Sequence, residues 1–346
     1  MIFTVTIQPA GRTLEVERDE PILAAAIRQG VGLPYGCRDG ACGSCKSRLL
    51  EGRVIHGAHQ QKALSTQEEG AGWILTCCAA PQTDCIVEAR SVPGAGQFAV
   101  QKMPCRVASI VRPTSDVAVI KLQLPANVVL QYHAGQYIEF ILKDGSRRSY
   151  SMANAPENVQ GGIELHLRHM PGGKFTDHVF SAMKERDILR MEGPFGSFFL
   201  REDSAKPIVL LASGTGFAPI KAIIEHMQAK AIERASVLYW GCRRPKDLYL
   251  NALPEKWARA HPHFRYVPVV SEARPEDPWG GRNGFVHRAV MEDLPDLSMH
   301  QVYACGVPVM VDSAKRDFTT LCQLPEDEFY ADSFTTQADL ASDELR

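Results

Sequence analysis

Tyr35-Gly36-Cys37-Arg38-Asp39-Gly40-Ala41-Cys42-Gly43-Ser44-Cys45-Lys46 spaces three cysteines as C-x4-C-x2-C, and Thr76-Cys77-Cys78 further along offers a fourth thiolate. That is the ligand spacing of a plant-type 2Fe-2S cluster. One tight loop must aim three thiolates inward while its backbone N–H groups approach the cluster sulfides. Gly36, Gly40 and Gly43 allow this, having no Cβ and ready access to positive φ. A structural zinc site is the competing reading. Such sites usually show the short C-x2-4-C spacing twice, and only Cys42 and Cys45 form such a pair here.

The 346-residue chain is long enough for two or three domains. Hydrophobic residues make up 45% and charged ones 23%, as in soluble globular proteins. A net charge of -2 gives no reason to expect nucleic acid or an anionic membrane as partner. No long apolar run suggests a transmembrane helix, and Met1-Ile2-Phe3-Thr4-Val5-Thr6-Ile7 alternates like a strand instead of resembling a secretion signal. A cytoplasmic location is expected. Ten cysteines in such a chain point to metal or redox chemistry more than to disulfides.

In residues 1–90, Phe3, Val5 and Ile7 face one way in a first strand, Pro9-Ala10-Gly11-Arg12 turns, and Leu14 and Val16 continue a second. A helix follows, capped by Asp19, with Pro21 near its start and Gly30 at its end. Hairpin, helix, cluster loop and Leu75-Thr76-Cys77 with Pro81 beyond resemble the plant-type ferredoxin family, a β-grasp fold. The resemblance makes Cys77 the fourth ligand after Cys37, Cys42 and Cys45, with Cys78 a packed neighbour. Turn-rich residues 91–102 read as a linker, and residues 336–346 as an acidic tail.

Residues 103–203 carry short β-rich runs at 105–111, 117–124, 137–142 and 163–167, separated by Pro, Gly and Asn, which suits a small antiparallel barrel. Three motifs stand out: Arg148-Ser149-Tyr150-Ser151, Gly172-Gly173-Lys174-Phe175-Thr176 and Glu192-Gly193-Pro194-Phe195-Gly196. A flavin needs a cation and free N–H groups for its phosphates, an aromatic face for its ring and a hydroxyl near N5. Each motif alone is weak, since Gly-Gly and Gly-Pro usually mark turns.

In residues 204–335 strands and helices alternate. The run 208–212 is a short strand, Ser213-Gly214-Thr215-Gly216-Phe217-Ala218-Pro219 a loop, and 220–227 the helix it opens, with Pro219 in the first turn. A phosphate at that helix start meets free N–H groups and the positive dipole end. The third glycine of G-x-G-x-x-G is missing, so this is not the common dinucleotide fingerprint. Further strands at 236–240, 264–270 and 301–304 suit a doubly wound parallel sheet. Cys305-Gly306-Val307-Pro308 follows the last of these, and Phe329-Tyr330-Ala331-Asp332-Ser333-Phe334 reads as a core strand.

As an ordered set, these motifs resemble the ferredoxin–NADP reductase superfamily. The resemblance implies that Arg148 pairs with flavin phosphate, Tyr150 packs on the isoalloxazine and Ser151 sits near N5, with Gly173 and Thr176 at the pyrophosphate. It makes Gly214, Thr215, Gly216, Pro219 and Gly306 cofactor-binding and puts Cys305 beside the nicotinamide. By position, Asp332 and Phe334 resemble the family's acid and flavin-shielding aromatic, so Ser151, Cys305 and Phe334 form the catalytic set. Members with the ferredoxin first generally use FAD. Glu272 after Ser271 would repel a 2′-phosphate, whereas Arg243 and Arg244 would attract one; NADH is expected as donor, with NADPH as the alternative.

NADH gives up two electrons as hydride, while a 2Fe-2S cluster accepts one at a time, and a flavin serves both. The resemblance thus implies a reductase passing electrons from NADH through FAD and the cluster to an acceptor protein. Reductase components of phenol or benzoate oxygenases fit it, as does CDP-6-deoxy-Δ3,4-glucoseen reductase, which supplies a sugar dehydratase. Of another class, a non-catalytic electron carrier or redox sensor would require decayed cofactor sites, against which the intact motifs argue. Substituting Cys77 and Cys78 separately is expected to abolish the visible absorption of the cluster in the Cys77 variant alone; loss in the Cys78 variant alone would reverse the assignment.

Overall fold

The computed structural model describes residues 1–335; the segment read as an acidic tail lies outside them. The described chain divides into two compact units, one holding residues 1–99 with residues 333–335, the other Val100–Asp332.

The first unit is the expected β-grasp. Strands Ile2–Gln8 and Arg12–Glu17 pair antiparallel, Ile2–Gln8 pairs parallel with Cys85–Glu88, and Lys46–Glu51 then Trp73–Leu75 complete a five-stranded mixed sheet. Val5, Ile7, Leu14 and Val16 alternate into the core, where Ile22, Leu23, Ala25 and Ala26 of the helix meet them. The helix runs Ile22–Arg28 and has no side-chain cap: Asp19 is not its cap, and the N-cap residue is Pro21 in extended geometry. The end matches expectation. Gly30 sits at φ +68°, its N–H donates to Ile27 O, and Val31 N–H donates to Ala26 O at 2.8 Å, a Schellman ending. Residues 91–99, inside the span read as a linker, pack on this unit: Val92 and Ala95 are buried, and Val92 N–H donates to Gly32 O at 3.0 Å. A Cβ on Gly32 would lie 2.3 Å from Val92 O, so only glycine admits that approach.

The second unit begins with a six-stranded antiparallel sheet ordered Arg147–Ser151, Tyr137–Ile141, Ile188–Phe195, Gln101–Val111, Val117–Gln123 and Ile163–Arg168. A bridge between Met152 and Leu165 joins its outer strands and closes the barrel. Two of these strands carry motifs. Gly193-Pro194 lies within a strand and not in a turn. Leu122, Ile138, Phe140, Met152, Leu165 and Met191 fill the barrel core.

The nucleotide half is a doubly wound sheet, with Phe264–Val270, Ser236–Cys242, Ile208–Ser213 and Gln301–Gly306 parallel in that spatial order. Its strand order reverses between Ile208–Ser213 and Gln301–Gly306, the switch point where such folds bind ligands. The helix after the first strand starts at Phe217, earlier than expected, and Pro219 still falls in its first turn, where no intrahelical N–H bond is lost.

A buried charge cluster fastens the barrel to this half. Lys221, on the helix Phe217–Ala229, donates to Ala153 O at 2.9 Å and pairs with Glu225 at 2.7 Å and Glu164 at 3.1 Å. Burial alone would raise the Glu164 carboxyl, but hydrogen bonding to His166 and the Lys221 charge outweigh it and hold the carboxyl down to about 2. Burial also pushes the His166 pKa down, so the neutral ring donates from Nε2 to Glu164 at 2.9 Å and accepts the Tyr249 hydroxyl at Nδ1, 2.7 Å away. Because the Glu164 pKa in the fold lies below the ordinary carboxylate value of 4.5, its stabilisation is present above that pH and is lost as pH falls toward 2. Lys221→Met leaves two carboxylates without their buried cation. It is expected to cost about 3 kcal/mol at neutral pH, read as a lower urea midpoint; an unchanged midpoint would show that the cluster carries no net stability.

Candidate functional site

In the cluster loop the thiols stand two and two. Cys37 N–H donates to Cys42 Sγ at 3.5 Å and Cys42 N–H to Cys37 Sγ at 3.4 Å, while Ser44 Oγ lies 3.4 Å from Cys42 Sγ. Their mutual hydrogen bond leads in shifting both thiols, lowering Cys42 and raising Cys37. Cys45 is raised first by hydrogen bonding to Cys77. Cys77 is lowered by Cys45 but raised by Cys78 and by burial, ending at about 12. Two pairs of thiols suit a two-iron cluster held by four cysteines. Among the described residues no three His, Cys, Asp or Glu side chains converge as one metal ion would need.

Cys77 and Cys78 keep their sulfurs 3.5 Å apart, but Cys78 leans to Ala58 O at 3.4 Å. Gly40 sits at φ +76°, and a Cβ there would lie 2.8 Å from both Cys78 Sγ and His59 Cβ. Gly43 is also left-handed, at φ +74°. Gly36 is not among the positive-φ residues, and Arg38 takes a left-handed conformation instead, at φ +68°.

Strand Arg147–Ser151 places Arg148 and Tyr150 on one face and Ser151 on the other. Tyr150 packs on Phe175 and Phe140, with ring centroids 5.4 and 5.9 Å apart. Arg147, which no motif singled out, pairs with Glu139 at 2.9 Å and Glu192 at 2.5 Å and ties three strands together beside Arg148. Gly173 caps the helix Lys174–Ser181. Thr176 Oγ1 donates to Met170 O at 2.9 Å and accepts Met170 N–H at 3.2 Å, so this hydroxyl clasps the loop leading into the helix. The free N–H groups at the helix start are what a phosphate would meet.

Ser151 is buried, and its hydroxyl donates to Asp332 Oδ2 at 3.4 Å. Cys305 is fully buried; burial, with the charge of Asp332, pushes its thiol well up and keeps it protonated. The fold thereby gathers Ser151, Cys305 and Asp332. Phe334 follows the strand Phe329–Ser333.

At the switch point two loops interlock. A Cβ on Gly216 would lie 2.2 Å from Cys305 O, and one on Gly306, at φ +141°, 2.1 Å from Ser213 Oγ. Ser213 Oγ accepts the Val307 N–H at 3.0 Å, and Trp240 Nε1 donates to Gly214 O at 3.0 Å. Thr215 and Pro219 are buried within this turn. Sequence reasoning missed Arg168. Its Nη1 lies 3.0 Å from where a Gly214 Cβ would be, so a barrel cation stands against the glycine turn. It sits outside every motif, and no local pattern announces it.

Residues 5–82 match the 2Fe-2S iron-sulfur cluster binding domain family, 104–200 the oxidoreductase FAD-binding domain family and 210–316 the oxidoreductase NAD-binding domain family. The chain is 40% identical to the CDP-6-deoxy-L-threo-D-glycero-4-hexulose-3-dehydrase reductase of Yersinia pseudotuberculosis, over 96% of this chain and 99% of the relative. It is 36% identical to the phenol hydroxylase P5 protein of Acinetobacter pittii, over 100% and 98%. Among solved structures, an Amycolatopsis cytochrome P450 reductase superposes with a TM-score of 0.80 at 33% identity, covering 96% of this chain and 99% of that one. The chain is an NAD(P)H-dependent oxidoreductase and belongs to the ferredoxin–NADP reductase superfamily, among the iron-sulfur flavoprotein reductases with an N-terminal 2Fe-2S ferredoxin domain.

Proposed function

We propose that this protein is the cytoplasmic reductase component of a two-protein system, drawing electrons from NADH and delivering them one at a time to a partner oxygenase or hydroxylase. The observation that carries the reading is the meeting of Ser151, Asp332 and Cys305 at the switch point of the nucleotide sheet. When bound, FAD supplies the exchange between hydride and single-electron chemistry, and the 2Fe-2S cluster the single-electron exit.

The residues present suit these groups. Cys37, Cys42, Cys45 and Cys77 would hold the cluster, the two-and-two thiol pairing favouring Cys77 over Cys78. Arg148, with the N–H groups after Gly173, would neutralise flavin phosphate, and Tyr150 would flank the ring. Asp332 accepts the hydrogen bond from the single Ser151 hydroxyl proton and so leaves the oxygen's lone pairs as what Ser151 offers. Cys305, kept protonated by burial, presents a neutral edge where a thiolate would oppose hydride arrival. Gly214, Thr215 and Gly216 open the backbone to a pyrophosphate, with Arg168 as its cation. Pro219 and Gly306 fix the two turns, and Phe334 would shield the flavin.

A second acceptor, a sugar dehydratase, is favoured by the relatives named as dehydrase reductases, 40% identical over 96% of the chain. Mixing the reductase with each acceptor class and measuring NADH-dependent turnover separates the two. For the internal chain, anaerobic NADH is expected to bleach the flavin and to generate a reduced-cluster signal in low-temperature electron paramagnetic resonance. Ser151→Ala is expected to slow bleaching about tenfold with flavin content unchanged. No bleaching in the unmodified protein would overturn the reading.

A further inference from the structure

Strands Ser236–Cys242 and Phe264–Val270 run parallel and end together, Cys242 opposite Val270. At this edge of a doubly wound sheet a dinucleotide's adenosine ribose lies, and an arginine there accommodates a 2′-phosphate. Arg243 and Arg244 leave the first strand, Ser271 and Glu272 the second. The two exits are stitched: Ser271 N–H donates to Cys242 O at 3.0 Å and Glu272 N–H to Arg243 O at 2.8 Å.

Arg244 is already engaged. Its Nε donates to Asp277 Oδ2 at 2.7 Å and its Nη2 to Asp277 Oδ1 at 2.6 Å, a bidentate fork, with Glu276 at 3.7 Å. Both partners are held in place. The Arg244 N–H donates to Asp247 Oδ2 at 3.1 Å, and Asp277 Oδ2 accepts the Arg274 N–H at 2.9 Å. The side chains of the pair are only 17% and 14% exposed, so the fork is better shielded than a surface ion pair.

We propose that Asp277 is the specificity-determining residue of this dinucleotide site, selecting NADH by withholding the Arg244 fork from a 2′-phosphate. A phosphate arriving here must displace a carboxylate from both guanidinium bonds and remain beside Glu272 and Glu276. The free 2′-hydroxyl of NADH needs no cation and meets no such cost. Arg243 is exposed, so solvent and salt weaken its pull. The inference rests on the dinucleotide site described above and adds how that site chooses its donor.

The test uses flavin-loaded full-length protein with ferricyanide as electron acceptor. Asp277→Asn keeps an oxygen for the Arg274 N–H and removes the charge that holds Arg244. Its kcat/KM for NADPH is expected to rise about tenfold, the size of a charge-assisted hydrogen bond gained, chiefly through KM, with a much smaller change for NADH. Adding Arg244→Ala should erase the gain. Arg244→Ala alone should not raise the NADPH to NADH ratio, because it removes the cation and leaves the Asp277 carboxylate uncovered. An unaltered ratio in Asp277→Asn, a gain that survives loss of Arg244, or a rise in the ratio in Arg244→Ala alone would each overturn the proposal. If neither dinucleotide reduces the unmodified protein, the dinucleotide site itself is misread, and that result is distinct from the others.

Discussion

The switch point of the nucleotide sheet is built on the absence of two Cβ atoms. Gly216 and Gly306 bring the turns after strands Ile208–Ser213 and Gln301–Gly306 so close that a methyl group on either would overlap backbone or Ser213. This contact sets where Cys305 sits and where the helix Phe217–Ala229 begins. From that helix Lys221 reaches the barrel, so the barrel strand carrying Ser151 is positioned against the same turns. A local steric condition thus governs how two domains share one site.

Electrostatics divides the second unit by depth. The Lys221, Glu164 and Glu225 cluster is mostly removed from solvent, where an unpaired charge is costly and a satisfied one fixes a single arrangement. The neutral thiol of Cys305 and the Ser151–Asp332 pair lie in the same interior, where Asp332 is the charge that Cys305 feels. Near the strand ends Arg244 and Asp277 cancel each other instead of steering an anion. Much of the charge in this unit is therefore spent on joining its parts.

What the sequence revealed was whatever one loop or turn must contain. Three cysteines in nine residues, Gly214-Thr215-Gly216 and Cys305-Gly306 each lie within a few positions, and the fold holds each in one loop or turn. Strands Arg147–Ser151 and Ile188–Phe195 were read as motifs and not as strands, because charge and Gly193-Pro194 mask their alternation. Arg168 and Lys221 were illegible for another reason. Their roles depend on partners in another domain, and no local periodicity encodes such a meeting. The Ser151–Asp332 bond spans 181 positions, and no local pattern pairs them; likeness to a family pointed to each residue separately and not to their meeting.

Residues 91–99 carry the edge of the first unit from Glu88, where its last sheet strand ends, out to Ala99. Val92 closes over Gly32, and Gly96 over Gly30, so the natural seam for cutting or recombining this module falls near Ala99. A ferredoxin fragment ended at Arg90 would uncover the floor of its own helix terminus. Gene fusions that trade such modules would inherit the covering segment with them, and its length is part of the module rather than free reach.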